Sequence, residues 1–466
     1  MDNYPPLREK DLPKAPHWKK ALGVGIVVMG MAIGTGELIM WPHIITKFGL
    51  GLLWAALIGI GMQYFINQEV ARYSLATGES FFTASARIFK WFAPFWLVSA
   101  VLLYIWPGWA SAMGTTLTEL FGFGNHMIWA WVALLLVLIL TFAGRVAYVT
   151  LERSLKIIIP LFIVLLVAVS FLNLELHHLR EALQGLVNFG WVPDGIDIRV
   201  LMGAIVFAGA GGMLNLCVSL WYRDKQAGMG EYVGRITNPI TGKKEAVAAT
   251  GYKININKHN LANWKEWMRF VRVDQGVIFF GLGLFTLVLL SLNAFAVLGP
   301  RNIVPEGLDV AVVQAHIFGE KFGAIGYDVF LVMAFLMLFA VMWTVFDAVT
   351  RIVSDIIYVN CHAGSFKKYL RPLRRLSESH LYYIIIFLLV LTGAFLIPLQ
   401  QPLTFLVISS VLGGLSMAIY TPMLFYINNF KLAKEIRPGI VTNAALIFTF
   451  LFYLFFTVMI VWQYLS

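Results

Sequence analysis

Long apolar stretches separated by short polar segments dominate the chain. A helix needs roughly 20 apolar residues to cross a bilayer. Eleven stretches meet this length, at about 21–45, 50–71, 94–117, 127–144, 155–173, 200–222, 275–298, 325–350, 381–398, 403–427 and 438–464. The pattern therefore predicts an all-α polytopic membrane protein with 11 transmembrane helices.

Two of these stretches are interrupted by glycine and polar residues. The first contains Gly34-Thr35-Gly36-Glu37, and the sixth contains Gly209-Ala210-Gly211-Gly212-Met213-Leu214-Asn215. Glycine weakens a helix by about 1 kcal/mol relative to alanine, and an acidic group at the bilayer centre costs roughly 2.5–3.5 kcal/mol. We predict that the two breaks face each other and form a substrate site. Its candidate residues are Gly34, Thr35, Gly36, Glu37, Gly209, Ala210, Gly211, Gly212, Met213 and Asn215.

Broken helices have a defined chemistry inside a membrane. They leave carbonyl groups free at the end of one half and N–H groups free at the start of the next. Lipid cannot satisfy these groups, so they are tolerated only where they line a cavity. Carbonyls together with Glu37 would suit a cation, whereas exposed N–H groups would suit an anionic moiety. Close helix packing is the alternative explanation of the glycines, but it does not explain Glu37 and Asn215 beside them.

The positions of the breaks suggest an internal repeat. Each break opens a block of five spans, and an odd number of spans inverts the second block relative to the first. Inverted repeats that place discontinuous helices at the midplane are typical of secondary transporters. The expected organisation is an N-terminal arm (1–20), a first repeat (21–173), an outer loop (174–199), a second repeat (200–427) that includes an inner loop (223–273), and a peripheral eleventh span (438–464).

Composition agrees with a membrane protein and explains the basic charge. The 466 residues are 59% hydrophobic and 13% charged, and the formal net charge is +10. If the N-terminus lies inside, the inner segments hold 30 of the 35 Lys and Arg residues, as the positive-inside rule requires. The C-terminus then lies outside a cell membrane that the chain crosses many times. The basic charge therefore reflects the orientation of the chain in the membrane, and no nucleic-acid partner is expected. The two cysteines indicate no disulfide framework.

Side-chain spacing adds a few local predictions. Glu69 and Arg72, and likewise Asp347 and Arg351, are spaced to pair on one helix face. Both are interpreted as structural ion pairs near the inner interface, with a gating contact as the alternative for the first. The aromatic residues 104–109 of the third span are attributed to packing rather than to a cavity wall. The basic segment 367–375 is typical of contact with anionic lipid.

The sequence resembles the Nramp (natural resistance-associated macrophage protein) family of metal-ion transporters. The residues that carry the resemblance are Gly34-Thr35-Gly36-Glu37, Phe48-Gly49, Leu52-Leu53-Trp54, Arg72, Thr77-Gly78, Glu152 and Asn215-Leu216. The family has Asp-Pro-Gly-Asn at the first of these and Met-Pro-His-Asn-Leu in the sixth span. The resemblance implies a leucine-transporter-like fold and a metal site, in which Glu37 and Asn215 are the candidate ligands.

The departures from the family pattern bear on the substrate. Gly34 stands where the family has its metal-binding Asp, Gly212 where it has Met, and Leu214 where it has His. A methionine thioether favours transition metals, whereas oxygen ligands alone suit hard ions such as Mg²⁺ or Ca²⁺.

Three functions remain open, and the first is favoured. The chain is a secondary transporter of a hard divalent cation, a transporter of a small organic solute such as an amino acid, or a membrane sensor without transport. The inner loop of about 50 residues is the sole support for the sensor. No nucleophile–base pair or metal cluster points to an enzyme, and no cofactor is expected.

Overall fold

The computed structural model describes residues 4–18, 23–34, 36–105, 108–243, 245–301, 303–304, 310–399 and 403–465. Helices account for most of them. In chain order they are α1 Val24–Ala32, α2 Trp41–Phe48, α3 Leu53–Thr77, α4 Phe81–Ile88, α5 Phe92–Tyr104, α6 Gly108–Phe121, α7 His126–Ala143, α8 Ala147–Asn173, α9 Leu176–Val187, α10 Ile198–Val206, α11 Val218–Asp224, α12 Gly230–Val233, α13 Lys258–Val273, α14 Gly283–Leu298, α15 Val310–His362, α16 Glu378–Leu396, α17 Leu403–Tyr426 and α18 Ile440–Leu465.

The membrane-spanning architecture agrees with the sequence prediction. Within the described residues, ten helices are long and apolar enough to cross a membrane. The sixth expected span is the exception, because it is divided into α10, a 3-10 turn at Gly212–Cys217 and α11. The ten helices and the divided one together correspond to the eleven apolar stretches of the sequence.

The first span is also interrupted, at the position that its glycines mark. Ile33 leaves the helical conformation with φ −71° and ψ 76°, and Gly34 N–H donates to the carbonyl of Ala32 only two residues back (2.8 Å). The chain resumes as a π-helical turn over Gly36–Met40 and then as α2. Every residue of α1 is buried, so this broken span lies at the centre of the bundle.

The polar chain after the sixth span is more helical than expected. The sequence predicts an inner loop over 223–273, but α13 begins at Lys258 and continues through a π-helical segment, Asp274–Leu282, into α14. The seventh span therefore extends well beyond the apolar stretch that identified it. Asn257 starts α13 as its N-cap, since its side chain accepts a hydrogen bond from Asn260 N–H.

The N-terminal arm is ordered and packs against the polar segment that follows the sixth span. Its strand β1 (Arg8–Lys10) pairs in parallel with β2 (Tyr252–Ile254). Asp11 then accepts hydrogen bonds from the side chains of Asn260 (2.8 Å) and Asn255 (3.2 Å), and these bonds lower the pKa of Asp11 below its ordinary value. Tyr4 donates to Asn360 Oδ1 (3.0 Å) at the end of α15. The arm thus joins the loop after the sixth span to the eighth span.

Candidate functional site

The two helix breaks lie against each other in the middle of the bundle. A Cβ atom on Gly36 would collide with the backbone carbonyl of Phe207, just beyond α10, so glycine permits the close approach. Gly34 is similarly close to the side chain of Val341 on α15. Thr35, which the sequence also placed in the site, lies outside the described residues.

A small cavity of about 20 Å³ lies between the breaks. This volume suffices for about one water molecule. Its lining is mainly apolar and aromatic, and comprises Met31, Ala32, Gly36, Tyr104, Trp109, Phe207, Gly209, Ala210, Leu214, Val341 and Val345. Three of the predicted site residues, Gly36, Gly209 and Ala210, are in this set.

The aromatic residues Tyr104 and Trp109, which the sequence pattern attributed to packing, are part of the cavity wall. Tyr104 is the last residue of α5 and Trp109 the second residue of α6. The indole N–H of Trp109 is buried and has no hydrogen-bond partner among the described residues. One of the side chains that line the cavity therefore carries an unpaired hydrogen-bond donor.

The second break is held by Gln63 of α3, which the sequence analysis missed. Its Nε2 donates to the Val206 carbonyl (2.9 Å), and its Oε1 accepts from Gly211 N–H (3.1 Å) and from Asn215 Nδ2 (3.2 Å). One side chain thus satisfies a carbonyl and an amide that the break releases. A glutamine inside an apolar span was the available signal.

Two tyrosines complete the polar support of this break. Tyr420 of α17 donates to the Gly212 carbonyl (3.1 Å), and Tyr104 donates to the Gly211 carbonyl (3.4 Å). Gly211 and Gly212 have φ of +75° and +57°, which is the region that glycine adopts without strain. The glycine run is therefore required by the backbone path of the break.

Glu37 and Asn215, the proposed metal ligands, have different surroundings. Asn215 bonds to Gln63 and contacts Tyr420 (3.4 Å). Glu37 is fully buried, with Thr286 of α14 beside it, and neither carboxylate oxygen has a hydrogen-bond partner among the described residues. Among the described residues the two side chains share no hydrogen-bond partner, and neither they nor Met213 are in the cavity lining.

Groups of three or more His, Cys, Asp or Glu side chains that could hold a metal do not occur within the described residues. A buried carboxylate without a partner is unfavourable unless it binds a proton or a cation. Glu37 is thus chemically suited to bind either a proton or a cation, and it contributes one carboxylate to such a site.

On the side of the bundle that carries the arm, the end of the sixth span enters a buried network of charges. Arg351 of α15 pairs with Asp347 (2.6 Å) and with Asp224 of α11. Asp347 also accepts from Trp221 Nε1 (2.8 Å) and from the Tyr382 hydroxyl (2.5 Å). The predicted Asp347–Arg351 pair is confirmed, but it lies in the interior and joins three helices.

Arg223 extends this network to two further carboxylates. It pairs with Asp355 (2.5 Å) and with Glu378, which opens α16, and Ser80 donates to Asp355 (2.6 Å). We call Arg223, Asp224, Asp347, Arg351, Asp355 and Glu378 the charge network; each of its six side chains is at most 3% exposed. Four carboxylates face two guanidinium groups, and sequence spacing identified only one of these pairs.

The first and sixth spans are tied together on the same side. The carboxylate of Asp274 accepts from the backbone N–H groups of Gly23 (3.1 Å) and Gly25 (2.8 Å), at the start of α1. It also accepts from the hydroxyl of Tyr222 in α11 (2.7 Å).

The Glu69–Arg72 pair predicted on α3 is confirmed at 2.8 Å, and Arg72 also donates to the Ile436 carbonyl (3.0 Å).

No protein-family model matches the sequence, and no curated protein matches it significantly. Solved structures do match. A mutant of the Eremococcus coleocola manganese transporter has a TM-score of 0.69 at 13% identity, with coverage of 97% of this chain and 89% of that chain. Mhp1, a nucleobase-cation-symport-1 family transporter with bromovinylhydantoin bound, has a TM-score of 0.59 at 13% identity, covering 95% and 83%. MhsT in complex with L-phenylalanine has a TM-score of 0.52 at 15% identity, covering 93% and 99%.

These similar structures are transporters of the leucine-transporter fold, and this chain has the same fold. The fold that the sequence predicts is therefore confirmed, and the chain is a multi-pass membrane protein.

Proposed function

We propose that the chain is a secondary transporter that moves a small organic solute by alternating access through the cavity between the two helix breaks. The observation that carries this proposal is the cavity lining. It consists of apolar and aromatic side chains, and one of them, Trp109, carries a buried indole N–H that has no hydrogen-bond partner among the described residues. A hydrogen-bond donor suits the carbonyl or carboxylate of an organic molecule and disfavours a bare cation.

The rest of the lining fits the same class of substrate. Gly36, Gly209 and Ala210 add little side-chain bulk to the lining, and the rings of Tyr104 and Phe207 offer an apolar surface or a cation–π contact to an ammonium group. An amino acid combines a carboxylate, an ammonium group and a side chain, and it is the substrate class that we favour. The capacity of this fold for such ligands is supported by MhsT in complex with L-phenylalanine and by Mhp1 with bromovinylhydantoin bound.

The cavity, at about 20 Å³, is far smaller than a typical ligand pocket of about 300–1,000 Å³. Substrate entry therefore requires the broken helices to separate, as alternating access implies. In this proposal Glu37 binds the coupling proton or cation beside the site, since its carboxylate is buried without a partner.

A hard divalent cation such as Mg²⁺ or Ca²⁺ is the second candidate substrate, with the chain as a divergent Nramp relative. The unpartnered carboxylate of Glu37 favours it, and the manganese transporter is similar over 97% of this chain. The missing thioether at Gly212 and the separate surroundings of Glu37 and Asn215 weigh against a transition metal in particular.

The first test is thermal stabilisation of the purified protein by a panel of amino acids and of Mg²⁺, Ca²⁺ and Mn²⁺. A ligand at 100 times its Kd adds about 2.7 kcal/mol to the free energy of unfolding. We expect an amino acid to stabilise the protein, and Trp109→Phe to weaken that stabilisation. Trp131→Phe is the matched control, because the Trp131 indole N–H donates to the Ala394 carbonyl (3.0 Å) and Trp131 is not in the cavity lining.

Stabilisation by a divalent cation that Glu37→Gln abolishes, with every organic solute inert, would replace the first proposal by the second. Flux of the stabilising ligand in proteoliposomes then distinguishes a transporter from a sensor. A ligand that binds but never crosses the membrane would contradict transport.

A further inference from the structure

An apolar groove opens on the surface of the bundle, at the same end as the N-terminal arm. It has a volume of about 190 Å³ and lies between the start of α5 and the end of α15. Pro94 and Leu97 form one wall, Ile357 lies on the other, and Phe366 and Leu370 close one end. The volume is below that of a typical ligand pocket and fits part of one flexible hydrocarbon chain.

The segment that closes this groove is strongly basic. Lys367, Lys368, Arg371, Arg374 and Arg375 are all exposed, and none of them forms an ion pair with the described part of the chain. Lys90 is exposed on the opposite rim, next to α5. Positive charges without an ion-pair partner among the described residues therefore lie next in the chain to the residues that line the apolar groove.

Aromatic side chains set the depth of the groove in the membrane. Phe89, Trp91 and Tyr369 are 53%, 54% and 79% exposed, and the rings of Trp91 and Phe366 pack edge to face at 5.6 Å. Exposed Trp and Tyr side chains, here Trp91 and Tyr369, are typical of the level of the lipid headgroups. The apolar groove therefore lies on the hydrocarbon side of this level and the basic residues on the headgroup side.

We propose that this groove is a binding site for an anionic phospholipid. One acyl chain occupies the groove, and the phosphate and anionic headgroup lie against Lys367, Lys368 and Arg371. The charge complementarity selects an anionic lipid over a zwitterionic one, and the apolar groove selects a lipid over free phosphate. Because Asn360 lines the groove and accepts the hydrogen bond from Tyr4, the bound lipid also contacts the point where the N-terminal arm is anchored.

The test is a titration of the purified protein with phosphatidylglycerol or with phosphatidylcholine of the same acyl chains. Thermal stabilisation reports the apparent affinity, and native mass spectrometry counts the lipids retained. Each basic residue at an anionic lipid surface strengthens binding about fivefold. We therefore expect K367Q/K368Q/R371Q to lose affinity for phosphatidylglycerol on the order of a hundredfold, and Leu97→Trp to lower it by filling the groove.

The matched control is K258Q/K265Q/R272Q, which removes the same charge from exposed positions on α13. We expect this control to retain the wild-type affinity, and 0.5 M salt to weaken phosphatidylglycerol binding to the unmodified protein. Equal affinity for the two lipids, an equal loss in both triple variants, or insensitivity of the unmodified protein to salt would each overturn the proposal. Because none of these measurements involves the transported substrate, a failure here leaves the proposed function untouched.

Discussion

Gln63 offers the sharpest test of how the second helix break is maintained. Replacement by Met preserves the length and approximate volume of the side chain but removes its hydrogen bonds. The Val206 carbonyl and the Gly211 N–H then lose their side-chain partner in a buried site, whereas Asn215 retains the Tyr420 hydroxyl. Each buried group left unsatisfied costs about 1–3 kcal/mol, so we expect Gln63→Met to destabilise the protein by about 2–6 kcal/mol.

Gln314→Met provides the matched control for this substitution. Gln314 is also buried, but its Nε2 has no hydrogen-bond partner in the described part of the chain. Its replacement removes no hydrogen bond made by Nε2, so the loss of stability should be smaller than in Gln63→Met. The free energies come from unfolding in mixed detergent micelles, followed by tryptophan fluorescence. If the two variants unfold alike, Gln63 does not support the break and this account of the site is refuted.

Three further predictions concern the first break, the arm and the topology. Gly36→Val should abolish ligand binding and flux, because any Cβ at this position meets the Phe207 carbonyl. The pKa of Asp11 is lowered in the docked arm, so its contribution to docking is complete above the ordinary pKa of about 3.9 and is lost as the pH falls through the lowered value. Hydrogen exchange of residues 8–10, corrected for intrinsic rates, should therefore rise as the pH falls below about 4. In cells, Lys243→Cys should react only after membrane permeabilisation, and Glu181→Cys before it.

Each of these predictions has its own control. Gly439→Val is the control for the first break, since nothing lies near a Cβ at that position; equal loss of binding in both variants would contradict the close-approach argument. Asp11→Asn should remove the pH dependence of arm exchange, and its persistence would assign that dependence to another group. Cys217 and Cys361 are buried, so little background labelling is expected, and the reverse labelling pattern would invert the proposed topology.

The sequence predicts the spans and the two breaks well, because both depend on local composition. Apolar length identifies a membrane helix, and the glycines mark the places where the helix ends. Gly211 and Gly212 illustrate this, since their positive φ values are a backbone requirement that only glycine meets without strain. Apolar length does not identify the start of the seventh span, because α13 is helical but polar.

The composition of the site depends on the directions of side chains, which local patterns do not specify. Across a π-helical turn and a 3-10 turn the regular 3.6-residue period is lost, so the sequence could not show that Glu37 and Asn215 have separate surroundings. Gln63, Tyr104 and Trp109 reach the breaks from other helices. Their contribution is a long-range property of the fold, and a lone polar or aromatic residue in an apolar span gives only a weak signal of it.

The arm that crosses the bundle has a consequence for biosynthesis. Asp11 and its partner Asn255 are 244 positions apart in the chain. At a synthesis rate of about 5–20 residues per second, the N-terminal segment emerges roughly 12–50 s before the strand that it pairs with. During that interval the first six spans enter the membrane while the segment has no strand to dock against. The arm can therefore dock only after the ribosome has completed both interrupted helices. A nascent chain stalled before residue 252 would leave residues 8–10 open to protease.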